Sequence, residues 1–218
     1  MQRFGSKRPI LHLIGKLLLQ ENYSNVLDMY LGSTSRLEHV SITKTRLMFK
    51  NNLEPSKVYD LFPRNYLFER LMLKGLSKGK QPRNIVFSLP KYFLRLSISA
   101  YQSFVFNKLV SSLDFYYPRS NEIPSIPLIG YKTDVFTFDE EIRNNITKFL
   151  AEDGLHVNSF KHENKFLSSK GTERFAIVKP ENVIVKYVEE GLNDIIVSFN
   201  LPKGAYATMF LREIQRIR

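Results

Sequence analysis

Four histidines (His12, His39, His156 and His162) and a scatter of carboxylates are the residues of this chain that could carry acid–base or metal chemistry. No two of the histidines have the spacing that places ligands on one helix face, and none is paired with a glutamate as in zinc-binding helices. No Gly-x-Ser-x-Gly nucleophile elbow occurs. Cysteine is absent, which removes disulfides, thiolate nucleophiles and cysteine-ligated metal centres. Asp139, Glu140 and Glu141 are accounted for as the acidic first turn of a helix, where the dipole is positive. Asp134 and Asp194 remain as candidates for a general base, each with the plainer reading of a turn residue. "GLSKGK" (75–80) has two glycines four apart and Gln81 after the lysine, which does not meet the phosphate-loop spacing.

Charge carries more information than catalytic inventory. The 218 residues have a formal net charge of +11, and residues 36–96 alone carry a net +9. No acidic residue occurs from Arg70 to Leu113, a stretch that contains Lys74, Lys78, Lys80, Arg83, Lys91, Arg95 and Lys108. A face kept only for solubility would mix signs, whereas a one-sign block suits a polyanion, nucleic acid above all. Lys74, Lys78, Lys80, Arg83, Lys91, Arg95 and, in a later turn, Lys203 are the candidate RNA-binding residues. The longest apolar stretch, "ILHLIGKLLL" (10–19), is interrupted by His12 and Lys16 and is too short to span a membrane, so no membrane partner is expected. Its acid-free, basic surroundings resemble a mitochondrial presequence, and its apolar spacing equally fits a core-facing helix. The lack of cysteine favours a cytoplasmic location.

The elements that must position these residues are legible in outline. Residues 8–31 read as two helices broken near "QENYSN" and ending at Gly32. Residues 36–75 read as mostly helical, with Pro55 in "EPSK" at a first helical position, where no backbone N–H is needed. "LSKGKQPRN" (76–84) reads as a loop, and 90–113 as a helix with Phe93, Leu96, Ala100, Phe104 and Leu109 on its buried side. A proline-punctuated loop (116–134) precedes a helix over 139–154 closed by Gly154. The period then changes. "ERFAIVKP" (173–180), "VIVKYVEE" (183–190) and "DIIVSFNL" (194–201) read as three successive strands of an antiparallel meander, and 204–218 as a turn into a last helix. Helices first and strands later give an α+β class.

Five blocks taken in order, "QRFG" (2–5), "LRLSISAYQSFVFNKLV" (94–110), "IPLIGYKTD" (126–134), "SSKGTERFAIVKPENVIV" (168–185) and "FNLPKGAYATMFLREI" (199–214), resemble the TruD family of tRNA pseudouridine synthases. The resemblance spans nearly the whole chain and is nearer to the archaeal and eukaryotic branch, because a long basic segment separates "QRFG" from "SAYQS". It implies a pseudouridine synthase mixed or antiparallel sheet domain with a largely helical inserted domain. Residues 1–34 and 172–218 would be catalytic-domain pieces, and 35–171 the insertion. It also implies an isomerase that needs no metal and no redox cofactor, with RNA, tRNA above all, as partner.

The same resemblance gives the site. In the family an Asn-Tyr-aromatic-Gly segment precedes "QRFG", and an earlier Gly-x-Lys-Asp-Lys block supplies the catalytic aspartate. Neither occurs in these 218 residues, and "GYKTD" (130–134) belongs to a different block. The chain is therefore expected to be a C-terminal portion: a mis-assigned start codon, a frameshifted or split gene, or a deliberately shortened product. A separately encoded N-terminal half is an alternative partner, and a non-catalytic RNA-binding remnant an alternative function. Tyr206 matches the family position whose ring packs beside the target base, with core packing as its plainer role. Arg3 and Phe4 are expected near the cleft floor. Arg212 is expected at the substrate or in an ion pair with Glu213, and Tyr101, Gln102 and Asn107 as buried hydrogen-bonders.

Overall fold

The computed structural model describes residue 5 and residues 7–113, 125–188 and 194–215. Its elements fall into two units. The first contains α1 (Leu11–Leu19), α2 (Tyr23–Gly32), α3 (Val40–Lys50), α4 (Pro55–Leu61), α5 (Leu67–Ser77), α6 (Pro82–Phe87), α7 (Lys91–Ser112) and α8 (Glu140–Glu152), with the short strands β1 (Ser125–Leu128) and β2 (Thr172–Phe175) at its margin. The second contains β3 (Glu181–Val188), β4 (Asp194–Asn200) and α9 (Ala207–Ile214).

α7 is the axis of the first unit. Phe93, Leu94, Ile98, Ala100, Tyr101, Val105 and Leu109 are buried along it, against Ile14, Leu17 and Leu18 of α1 and Ile146 and Leu150 of α8. α1 approaches closely because Gly15 has no side chain: a Cβ there would run into the Ser97 carbonyl and the Tyr101 Cβ. Ser97 Oγ donates to the Phe93 carbonyl (2.9 Å), so this polar group is satisfied inside its own helix.

A buried ionic network ties α2, α3 and α5 to the incoming chain. Arg46, with no exposed surface, donates to both Glu38 carboxylate oxygens, to Glu69 Oε1 (2.7 Å) and to the Tyr30 and Leu31 carbonyls. Arg8 donates to Glu69 Oε1 (3.2 Å) and to the Tyr30 and Ser33 carbonyls. Two arginines thus face two carboxylates and also satisfy the carbonyls at the end of α2, which lack intrahelical donors. Burial, and then Arg46, push the Arg8 pKa below its ordinary value.

The structure departs from the sequence expectations in three places. α6 begins inside the expected loop at 76–84, with Pro82 at its first turn, and runs on to Phe87. β1 lies inside the expected loop at 116–134, of which residues 116–124 fall outside the described residues. The three expected strands do not form a meander. The first is cut to Thr172–Phe175 and pairs with β1, while β3 and β4 form an antiparallel hairpin with Val185 opposite Val197 and Tyr187 opposite Ile195. Pro180, which has no N–H to donate, lies between the two pairings, and Asn182 at φ +51° sits in the register irregularity between Glu181 and Ile184 of β3. α1 and α2 pack in the same unit as α3–α8, and the boundary between the units falls near residues 174–175.

Candidate nucleic-acid interface and base-stacking turn

In the second unit, β4 ends at Asn200 and the chain turns through "LPKG" into α9. Ala205 N–H donates to the Pro202 carbonyl (3.1 Å), and Gly204 takes φ +94°, a conformation open to glycine. Tyr206 then occupies the N-cap of α9 with extended backbone, and its carbonyl accepts from Met209 N–H (2.9 Å). Tyr206 is 37% exposed. Phe199 of β4 meets Phe210 of α9 edge to face at 4.6 Å, which fixes the helix start to the strand end. Lys203 is exposed on the same turn, and Arg212 and Glu213 are exposed on α9. Arg3 and Phe4 lie outside the described residues.

The basic residues from Arg70 to Lys108 take different places in the first unit. Arg70 is structural: it donates to the Tyr59 and Phe62 carbonyls (2.9 and 2.7 Å) and lies over the Tyr59 ring. Lys74, Lys78 and Lys80 are exposed at the end of α5 and in the turn that follows. Arg83, Lys91 and Arg95 gather around the loop that follows α8. Arg83 pairs with Glu163 and lies over Phe87, while Lys91 and Arg95, on the first turns of α7, both lie over Phe166 at 4.8 and 5.0 Å. Lys165 approaches the same ring at 5.5 Å. Lys165 and Phe166 were missed from sequence because "HENKFLSSK" mixes charges, and only folding brings it beside α7. Lys108 is paired with Glu152 (2.8 Å).

The remaining candidates have local structural duties. Asp134 caps the short 3-10 turn Val135–Thr137 by accepting from Phe136 N–H (3.0 Å). Asp194 opens β4 opposite Val188. His39 caps α3, and His156 accepts from Ser159 at the next turn. His12 stacks on Phe104 at 4.8 Å. His162 accepts Asn164 N–H at Nδ1 (2.8 Å), so its neutral ring carries the proton on Nε2, facing the Tyr23 hydroxyl at 3.0 Å. Burial lowers its pKa; Glu21 opposes that shift and Arg83 adds to it. Tyr101 and Gln102 are buried as expected: Tyr101 donates to Asp153 Oδ2 (2.8 Å), and Gln102 donates to the Ile129 carbonyl (2.6 Å) and Ser169 Oγ. Burial and the Asp153 carboxylate push the Tyr101 hydroxyl pKa well up. Asn107 departs from expectation and is exposed. "GLSKGK" is no phosphate cradle, since Gly75 sits inside α5 packed on Ile85.

Comparison with known proteins matches the tRNA pseudouridine synthase D (TruD) family over residues 1–116 and 112–214. A probable tRNA pseudouridine synthase D of Archaeoglobus fulgidus is 29% identical over 98% of this chain and 59% of its own length. That of Sulfurisphaera tokodaii is 32% identical over 99% and 54%, and one from Methanocaldococcus jannaschii 31% over 98% and 54%. The crystal structure of a protein assigned as tRNA pseudouridine synthase D from Methanosarcina mazei superposes with a TM-score of 0.81 at 25% identity, covering 99% of this chain and 60% of that one. The chain thus spans a little over half the length of the relatives it matches.

Proposed function

The chain belongs to the tRNA pseudouridine synthase D (TruD) family, and from that premise we propose that it is the larger part of an RNA-modifying isomerase that converts uridine to pseudouridine in RNA, tRNA above all. The family match along almost the whole chain carries this reading. In the reaction the C1′–N1 bond of a uridine breaks, the base turns, C1′ joins C5, the C5 proton leaves and N1 takes one up. The uridine must leave its stack and be held on a π-face. Tyr206, half-exposed at the start of α9, is the residue proposed to offer that face, with Lys203 and Arg212 beside it in sequence. Arg3 and Phe4 are proposed for the floor of the same cleft. Asp134 and Asp194, used as a cap and at a strand start, are not proposed as the base.

No Gly-x-Lys-Asp occurs in the chain, so the aspartate the reaction needs is proposed to come from further polypeptide, in the same chain or separately encoded. The hairpin supports a need for such a neighbour. Val185, Tyr187 and Ile195 on one face and Ile184 and Ile196 on the other are all more than half exposed, whereas strands apolar on both faces are normally covered on both. Residues 1–34 and 172–218 are proposed as catalytic-domain pieces and 35–171 as the insertion, whose acid-free stretch 70–108 is proposed to grip RNA. Among the described residues no helix is long and apolar enough to cross a membrane, and a cytoplasmic site of action is proposed.

Nucleoside analysis of a digested tRNA transcript tests the reading. The chain joined to the unmatched segment of a relative should convert uridine to its isomer, and the chain alone should not. If neither forms pseudouridine while the joined protein is folded, the second reading, a non-catalytic RNA-binding protein, replaces the first.

A further inference from the structure

Phe166 stands partly exposed in the loop between α8 and β2, and three cations lie against its ring: Lys91 Nζ at 4.8 Å, the Arg95 guanidinium at 5.0 Å and Lys165 Nζ at 5.5 Å. Lys91 and Arg95 are four residues apart on α7 and so share a face, an arrangement in which like charges repel. The ring's negative face offsets part of that repulsion. Among the described residues no carboxylate pairs with Lys91, Arg95 or Lys165. The one acid between Lys161 and Gly171 is Glu163, and Arg83 holds it.

The loop that carries Phe166 is built rather than loose. His162 Nδ1 accepts Asn164 N–H, Asn164 Oδ1 accepts Phe166 N–H (3.0 Å), and Ser168 Oγ bonds both the N–H and the carbonyl of His162. Leu167 is fully buried beneath it, and the His162 ring meets Phe87 of α6 edge-on. The three charges are therefore held together before any ligand arrives, which lowers the ordering cost of binding.

We propose that Lys91, Arg95 and Lys165, gathered on Phe166, form a phosphate-binding site for the backbone of an RNA strand. This rests on the RNA-directed reading above and adds to it: Lys165 donates to the strand, Phe166 is a positioning residue, and Arg83 serves by neutralising Glu163. An RNA phosphate supplies the missing anion, and its binding releases condensed counterions.

The test is fluorescence anisotropy of a labelled, unmodified tRNA transcript titrated with the chain across about 50 to 200 mM salt, the range over which phosphate contacts dominate the salt response. Four proteins are compared: wild type, K91Q/R95Q/K165Q, K44Q/K50Q/K148Q on α3 and α8 as a control of equal charge loss, and Phe166→Leu. Thermal melts confirm that each is folded. The cluster variant should lose about 2 units of the log–log salt slope, at roughly 0.7 per contact to single-stranded RNA, while the control keeps the wild-type slope. Phe166→Leu should bind about 2- to 5-fold more weakly at unchanged charge, the cation–π contribution of an exposed site. Tight wild-type binding with the same slope in the cluster variant would overturn the site and leave the RNA reading standing. Equal losses in cluster and control variants would overturn it as well, because bulk charge alone would explain them. A wild type that binds no RNA at any salt would overturn both.

Discussion

Glu69 accepts from two arginines in a space closed to solvent, and that position makes its substitution informative. Glu69→Ala leaves Arg46 and Arg8 short of a counter-charge inside the protein, a change that costs about 3–5 kcal/mol. Urea unfolding should show a lower midpoint with an unchanged slope. His162 makes stability depend on pH. Its folded pKa is depressed, chiefly by burial, while the unfolded ring titrates near about 6.5. The unfolded chain therefore binds the extra proton first, so the stabilisation is complete above that value and is lost as pH falls through it. His12, depressed by burial and then by Lys16, acts in the same direction. Unfolding followed at pH 7.5 and 5.5 should show the loss, and His162→Gln should make it shallower. Tyr206 belongs to the same scale. A ring that stacks on a flipped base contributes about 1–3 kcal/mol, or roughly 5- to 150-fold in rate. In the chain joined to the unmatched segment of a relative, Tyr206→Phe should keep most of any pseudouridine-forming activity, and Tyr206→Leu should lose it at equal folded fraction. Equal rates for the two would remove the ring from the site.

Among the elements, the contact of α1 with α7 is the tightest constraint. Gly15→Ala places a methyl group into the Ser97 carbonyl, so the helices must part along a face that buries Ile14 and Leu18. A loss of about 1–3 kcal/mol is expected, as for other overpacked cores, read as a drop in melting temperature. α1 and α7 were legible from sequence because apolar residues recur there at helical spacing, although Leu96, expected inside, is exposed. α6 was hidden by its length, since six residues between a Gly-Lys loop and "SLP" give no period, and only Pro82 at its first turn announces it. β1 was hidden by the prolines around it. The pairing of β2 with β1 rather than β3 was not readable at all, because strand runs of similar composition do not encode their partners.

For the whole molecule, sequence blocks reached the family and the turn that carries Tyr206, but not the loop that brings Lys165 and Phe166 to α7. In sequence, Arg70 through Lys108 reads as one basic block. Folding separates it, with Arg70 tied to carbonyls, Arg83 and Lys108 paired to acids, and Lys91 and Arg95 left facing an aromatic ring. Among the described residues, the hairpin of β3 and β4, with exposed apolar side chains on both faces, is the feature that supports a need for a neighbour. The measurement that bears on this most directly is tritium release from tRNA carrying 5-tritiated uridine, because C5 loses its hydrogen only when C1′ is joined there. The chain alone should release none, and the chain completed with the segment of a relative that it does not match should release tritium in step with pseudouridine formed. Clear release by the chain alone would contradict the account.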